Sequence, residues 1–99
     1  SEIMAARDFG FRTLKFFPAE SYGGAAALAA LAAPFRDIRF CPTGGVREAN
    51  LRSFLDLPNV PVVGGTWIAG RADVAARDWA GIRSKAHRAV ALATGTVEA

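Results

Sequence analysis

Arg12-Thr13-Leu14-Lys15-Phe16-Phe17 is a short run of strand-forming residues that stops at Pro18, and it is the first of three such runs. The others are Ile38–Cys41, which ends at Pro42-Thr43-Gly44-Gly45, and Val60–Val63, which ends at Gly64-Gly65-Thr66. Short runs rich in β-branched and aromatic residues, bounded by proline and glycine, are typical of β-strands. The sequence therefore predicts three strands, each followed by a loop that begins with proline or glycine.

Helical segments separate these strands. A serine start and an early acidic residue predict a helix over Ser1–Asp8, and an alanine-rich helix over Ala25–Ala33 ends before Pro34. A third helix is predicted from about Arg47 to Leu55, and the chain beyond Thr66 reads as helical with a break near Arg77-Asp78, where Asp78 can cap the last helix. Strands that alternate with helices predict an α/β fold with a parallel sheet and helices outside it.

Three parallel strands do not make a stable end point, because they leave two open edges and one uncovered face. Hydrophobic residues also make up 52% of only 99 residues, which is high for a free-standing domain of this size. We therefore expect residues 1–99 to be one partial domain of about three βα units, belonging to a (β/α)8 TIM barrel whose remaining strands lie elsewhere.

Lys15 is the residue in the first strand that most suggests chemistry. Strand alternation places Lys15 and Phe17 on one face, near the carboxyl end of the strand, where barrels carry their catalytic groups. Burial beside aromatic carbon disfavours the charged ammonium, and a free amine is what a Schiff-base nucleophile requires. Taken alone, however, a lysine more often extends its charge to the barrel rim or pairs with a carboxylate such as Glu20.

The two glycine pairs suggest an anion site. Thr43-Gly44-Gly45 and Gly64-Gly65-Thr66 follow consecutive strands and precede helices, where backbone N–H groups can bind a phosphate. Either pair alone is more often an ordinary turn. Their occurrence at two neighbouring βα junctions favours phosphate binding, to which Thr66 can add a hydroxyl donor.

Composition argues against several other classes. The formal charge of +3 comes mainly from basic residues in the C-terminal third that lack an aromatic stripe, so we expect a solvated helix face and no nucleic-acid partner. No apolar run approaches the length of a membrane helix, and the N-terminus does not resemble a signal peptide, so we expect a cytoplasmic protein that does not bind membranes. The single histidine and single cysteine form no metal-ligand cluster, so no metal is expected.

The motifs together resemble the 2-keto-3-deoxy-6-phosphogluconate (KDPG) aldolases, within the KDPG/KHG aldolase family. The resemblance rests on four motifs in matching order and spacing: Leu14-Lys15-Phe16-Phe17-Pro18-Ala19-Glu20, Phe40-Cys41-Pro42-Thr43-Gly44-Gly45, Asn50, and Gly64-Gly65-Thr66-Trp67. It implies a homotrimer of (β/α)8 barrels, of which this chain would supply the helix before strand six and then strands six to eight with their helices.

The resemblance also implies a mechanism without cofactor or metal. Lys15 would form a covalent Schiff base with the phosphorylated 2-keto-3-deoxy sugar acid, which is cleaved to pyruvate and glyceraldehyde 3-phosphate. Phe17 would form a wall of the pyruvyl pocket. Five further residues would hold the pyruvate or phosphate end of the substrate: Thr43, Gly44, Gly45, Gly65 and Thr66. The family's general base, a glutamate on the second strand, is not in this sequence, so we expect the segment alone to be inactive.

Two alternatives remain open at this point. One is cleavage of 4-hydroxy-2-oxoglutarate (KHG), which the same scaffold often performs. The other is a non-catalytic phosphate-binding half-barrel, although a mere phosphate binder has no use for the amine of Lys15.

Overall fold

The computed structural model describes residues 1–95, which form an α/β arrangement around a two-stranded parallel sheet. The strands are β1 (Thr13–Phe16) and β2 (Arg39–Pro42), in a register that sets Lys15 beside Cys41. The helices are α1 (Glu2–Asp8), α2 (Gly24–Leu31), α3 (Leu51–Leu55), a 3-10 turn (Trp67–Ala69), α4 (Arg71–Ala75) and α5 (Trp79–Thr94). The order helix, strand, helix, strand, helix agrees with the sequence pattern.

The ends of the first and last helices are fixed by the residues that the sequence suggested. Ser1 Oγ accepts a hydrogen bond from the Met4 N–H at 3.3 Å, which caps α1. Asp78 Oδ1 accepts from the Gly81 N–H at 3.0 Å and caps α5, while Gly95 ends α5 with a φ of 77°. Each cap satisfies backbone groups that the helix itself leaves unpaired, so the predicted break at Arg77-Asp78 is confirmed.

The helix predicted from Arg47 begins later than expected, at Leu51. Residues 48–50 form a turn in its place. The Leu51 N–H donates to the Arg47 carbonyl at 2.9 Å, and the Arg47 N–H donates to Asn50 Oδ1 at 2.8 Å, so one hydrogen-bonded turn precedes the helix. The turn lengthens the loop between β2 and α3.

The third predicted strand, Val60–Val63, is not a strand in the structure, although this segment does run beside β2. At one end the Phe40 N–H donates to the Asn59 carbonyl at 2.8 Å. At the other end the Gly64 N–H donates to the Pro42 carbonyl at 3.0 Å. The segment therefore takes the place of a third strand without its regular bonds.

Two prolines explain the interruption. In a regular parallel ladder that continues from Phe40, the next donors would be the N–H groups at positions 61 and 42. Both positions are occupied by proline, which has no N–H. The ladder therefore closes only at its ends.

The core lies on one face of the sheet, between the strands and helices α2 and α3. Its largest fully buried side chains include Phe40, Phe54 and Leu28, and the rings of Phe16 and Phe40 meet edge to face at 6.3 Å. Leu14 and Phe16 face this core, whereas Lys15 on the opposite face of β1 is exposed. Strand alternation thus separates a packing face from the face that carries the lysine.

Candidate active site

The loops that follow the strands are hydrogen-bonded to one another, and this brings the predicted site residues together. The Ala19 N–H donates to the Thr43 carbonyl at 2.7 Å, and the Glu20 N–H donates to the Gly44 carbonyl at 3.2 Å. The loop after β1 is therefore attached to the loop after β2 by two backbone bonds beyond the end of the sheet. The bond from the Gly64 N–H to the Pro42 carbonyl attaches the third loop to the end of β2.

These loops surround a cleft of about 330 Å³. All seven residues that the sequence singled out line it, together with Val46: Lys15, Phe17, Thr43, Gly44, Gly45, Gly65 and Thr66. The parallel orientation of the strands brings the three loops to the same edge of the sheet. One primary amine and two glycine-rich loops thus share a single cleft.

Lys15 reaches this cleft beside an aromatic ring. Its Nζ lies 5.2 Å from the centre of the Phe17 ring, within the range of a cation–π contact. None of the ion pairs formed among residues 1–95 involves Lys15, so the alternative pairing with Glu20 does not occur there. The expected burial of the lysine is not supplied by the described residues, because Lys15 and Phe17 both lie on an exposed face.

The cleft presents a group of free backbone donors. Within residues 1–95 no acceptor is found for the N–H groups of five cleft residues: Gly44, Gly45, Val46, Gly65 and Thr66. Free N–H groups in consecutive turn residues form concave sites that attract anions. The two loops therefore provide the donors that the sequence analysis assigned to a phosphate.

Gly44 is required by the close approach of the two loops. Its φ of 90° is rarely adopted by residues with a side chain. A Cβ atom at this position would lie 2.9 Å from Pro18 Cα and 3.0 Å from the Phe17 ring. Glycine thus lets the aromatic side chain beside Lys15 pack directly on the second loop.

Two residues at the site were given no role by the sequence analysis. Val46 lines the cleft and is almost completely buried. Asn50 lies behind the loop, where its Nδ2 donates to the Gly45 carbonyl at 2.8 Å and its Oδ1 accepts from the Arg47 N–H. Asn50 stood out only as part of a motif, because its partners depend on how the loop folds.

Two ion pairs connect α5 to neighbouring segments. Lys85 Nζ on α5 donates to Asp73 Oδ2 on α4 at 2.9 Å, and this bond, with another from the Gly70 N–H, lowers the pKa of the Asp73 carboxyl. Arg88 on α5 donates to Glu48, which lowers the pKa of that carboxyl in turn. Lys85 and Arg88 remain on a solvent-accessible helix face, as predicted, and they also link α5 to α4 and to the turn over residues 48–50.

Residues 1–95 contain neither a metal-binding cluster nor a membrane-spanning helix. No group of three His, Cys, Asp or Glu side chains in this range could hold a metal ion. No helix in it is both long and apolar enough to span a bilayer.

Comparison with known proteins identifies relatives along nearly the whole chain. The profile of the family described as KDPG and KHG aldolase matches residues 1–85. The 2-dehydro-3-deoxy-phosphogluconate aldolase of Pseudoalteromonas atlantica is 50% identical over 95 residues, which are 96% of this chain and 44% of the relative.

Solved structures give the same result. A KDPG aldolase from Legionella pneumophila, with pyruvate captured as a covalent carbinolamine intermediate, matches with a TM-score of 0.79 and 40% identity, over 82% of this chain and 39% of that one. The KDPG aldolase of Zymomonas mobilis with 3-phosphoglycerate matches with a TM-score of 0.72 and 40% identity, over 87% of this chain and 40% of that one. The chain spans about two fifths of the length of these relatives. On the extent of the family match and on these identities, the chain belongs to the KDPG and KHG aldolase family.

Proposed function

We propose that this chain is the C-terminal part of a class I aldolase that cleaves 2-keto-3-deoxy-6-phosphogluconate to pyruvate and glyceraldehyde 3-phosphate. The observation that carries the proposal is the shared cleft, in which the amine of Lys15 and the free N–H groups of two glycine loops face one space. An amine can form an imine with a ketone, and the N–H groups can bind a phosphate at the other end of the same molecule.

Lys15 is the nucleophile of the proposed reaction and carries the covalent intermediates. Its neutral amine attacks the C2 ketone, and loss of water leaves a protonated imine. When the C4 hydroxyl loses its proton to a base, the C3–C4 bond breaks, its electron pair moves into the imine to form an enamine, and glyceraldehyde 3-phosphate leaves. Protonation of the enamine at C3 and hydrolysis of the imine then release pyruvate and restore the amine.

The other cleft residues would orient the substrate. Phe17, which packs beside the Lys15 amine, would form a wall of the pyruvyl pocket. Thr43, Gly44, Gly45, Gly65 and Thr66 would hold the pyruvate or phosphate end. The covalent carbinolamine of the Legionella relative and the 3-phosphoglycerate of the Zymomonas relative support these two halves of the proposal.

We further propose that β1, β2 and the segment 60–63 are strands six to eight of a (β/α)8 barrel. Several large apolar side chains are exposed in the described residues, including Phe9 at 85% and Phe11 at 61%. Monomeric proteins seldom leave such surface uncovered. Strands from the rest of the complete protein would cover it, bury Lys15 and supply the general base, and the family resemblance implies a cytoplasmic homotrimer.

Borohydride trapping tests the proposal. In the complete protein, pyruvate and borohydride should label Lys15 irreversibly, as read by peptide mass spectrometry. Lys85 is the other lysine of this sequence and provides a matched control, because it pairs with Asp73. We expect Lys15→Arg to abolish turnover, since a guanidinium stays protonated, and Lys85→Arg to retain it. Label on Lys85, or no label, would refute the mechanism.

Cleavage of 4-hydroxy-2-oxoglutarate is the second candidate, because the matching family includes both activities in its description. The two substrates differ in the phosphate that the glycine loops would bind. A comparison of kcat/KM for the two in the complete protein decides between them, and we expect the phosphorylated substrate to be preferred.

A further inference from the structure

We propose that Asn50 is a positioning residue that makes this cleft selective for a phosphorylated substrate. The inference rests on the proposed function, since it assumes that the glycine loops bind the phosphate. Asn50 would act indirectly, by fixing the direction of one peptide group in the loop after β2.

The side chain of Asn50 closes this loop with two bonds. Its Nδ2 donates to the Gly45 carbonyl at 2.8 Å, and its Oδ1 accepts from the Arg47 N–H at 2.8 Å. Both polar atoms of the amide are therefore used, and each contacts the backbone of a different residue. The side chain thus spans the turn and fixes it from the side of the following helix.

The bond to Gly45 determines where the Val46 N–H points. A trans peptide is planar, so its C=O and N–H groups point in opposite directions. The Gly45–Val46 peptide is not among the cis bonds of the chain. Because Asn50 binds its carbonyl end, the N–H end of this peptide is turned away from Asn50. Val46 lines the cleft, and its N–H has no acceptor within residues 1–95.

We therefore assign the Val46 N–H to the anion site, beside those of Gly44 and Gly45. Three consecutive N–H groups can surround one phosphate only if each peptide keeps its orientation. The Arg47 N–H is the next in sequence, and its bond to Asn50 removes it from this group. Asn50 thus sets both the direction and the end of the donor series.

Arg47 supports the same carbonyl from outside. Its Nη1 donates to the Gly45 carbonyl at 3.1 Å, but the Arg47 side chain is exposed, whereas Asn50 is half-buried. Loss of Asn50 should therefore loosen the Gly45–Val46 peptide without leaving its carbonyl entirely unbonded. A measurable loss of phosphate affinity is expected, with the fold retained.

Three variants of Asn50 in the complete protein separate the effects of its two hydrogen bonds. Asn50→Ala removes both bonds, and we expect KM for the phosphorylated substrate to rise about tenfold, as for one weakened bond to a charged group. Asn50→Asp keeps the acceptor for the Arg47 N–H but loses the donor and adds a negative charge, so its rise should be larger. Asn50→Ser keeps an acceptor for the Arg47 N–H but loses the donor to Gly45, so it tests the same prediction should the alanine variant prove poorly folded.

The matched control is Asn59→Ala. Asn59 also uses its Nδ2 to bind a backbone carbonyl, that of Leu28 at 3.0 Å, but it does not line the cleft. This variant should lose stability and leave the substrate preference unchanged. A change in preference at Asn50 alone would then exclude general destabilisation as its cause.

The decisive readout is a difference between substrates. For the Asn50 variants we expect KM to increase with KDPG. With 4-hydroxy-2-oxoglutarate, which has no phosphate, we expect KM to change by less than about twofold, which is less than about 0.4 kcal/mol in binding free energy. Inorganic phosphate, titrated by calorimetry, should bind the unmodified protein more tightly than the variants. Equal effects on both substrates, unchanged kinetics, or equal phosphate binding would overturn the inference.

The two proposals can fail separately. If pyruvate and borohydride do not label Lys15 in the unmodified protein, the aldolase proposal fails while the phosphate titration still judges the role of Asn50. If labelling succeeds and the Asn50 variants bind phosphate normally, only the inference about Asn50 is wrong.

Discussion

Gly45→Ala should be one of the most damaging single-methyl changes at the cleft. Gly45 has a φ of 79°, and an L residue in this left-handed region loses about 1–2 kcal/mol. A Cβ at Gly45 would also lie 2.5 Å from Glu20 Cγ and 2.7 Å from Glu20 Cβ. These distances are far below the usual carbon contact of about 3.5–4.0 Å.

The crowding cannot be relieved by a simple rotation of the side chain. Glu20 Cβ is fixed by its backbone, and that backbone is bonded to Gly44 through the Glu20 N–H. Overpacking of this kind costs about 1–3 kcal/mol. Together with the strain in φ, we expect a loss of about 2–5 kcal/mol in the free energy of unfolding.

Gly10→Ala is the control that measures the backbone strain alone, without the crowding. Gly10 has a φ of 94°, and no atom lies within 4 Å of a Cβ placed there, so only the strain of about 1–2 kcal/mol should appear. Urea unfolding of the complete protein at a fixed concentration measures both losses from the shift in midpoint at constant slope. Equal losses for the two variants would refute the claim that Glu20 and Gly45 are in obligatory close contact.

Two further predictions concern stability away from the cleft. Phe54→Ala should lower the free energy of unfolding in urea by about 3–5 kcal/mol, because the ring is fully buried in the core. Val90→Ala, at an exposed position, is the control and should change this free energy little. Similar losses for the two variants would show that the core is wrongly placed. Asp73→Asn should lower stability at neutral pH. Lys85 lowers the pKa of Asp73 in the folded protein, so the stability that the ion pair contributes is present above the usual carboxyl pKa and is lost as pH falls through the lowered pKa. The difference in unfolding free energy between the protein and the variant should therefore close below about pH 4. A stability difference that does not change with pH would contradict the ion pair.

Much of the site could be predicted because it depends on the direction in which each strand runs and on the face to which each of its side chains points. Once β1 and β2 are parallel, their carboxyl ends lie at one edge, and the loops that follow must be neighbours. Alternation along the predicted first strand places Lys15 and Phe17 on the same face. These are local rules, and the structure places all the predicted residues around one cleft as they require.

The remaining features depend on partners that are distant in sequence. The Val60–Val63 run has the composition of a strand, but the missing donors at Pro61 and Pro42 matter only once the two segments are aligned. The turn over residues 48–50, which precedes α3, contains a side-chain bond to Asn50 that a helical pattern does not reveal. Lys15 is exposed because no segment among residues 1–95 covers its face of the sheet, which strand alternation by itself does not reveal.

The two backbone bonds between the loops after β1 and β2 bear on how such proteins can be recombined. Ala19 and Glu20 donate to Thr43 and Gly44, so each loop holds part of the backbone of the other. A crossover point placed between β1 and β2 would combine loops from two different parent proteins. The backbone hydrogen bonds between the loops and the Glu20–Gly45 contact would then be misaligned together. Chimeras with crossovers before β1 or within α3 would carry both loops as one module. Between these positions, the smallest exchangeable unit is the pair of βα segments and not the single one.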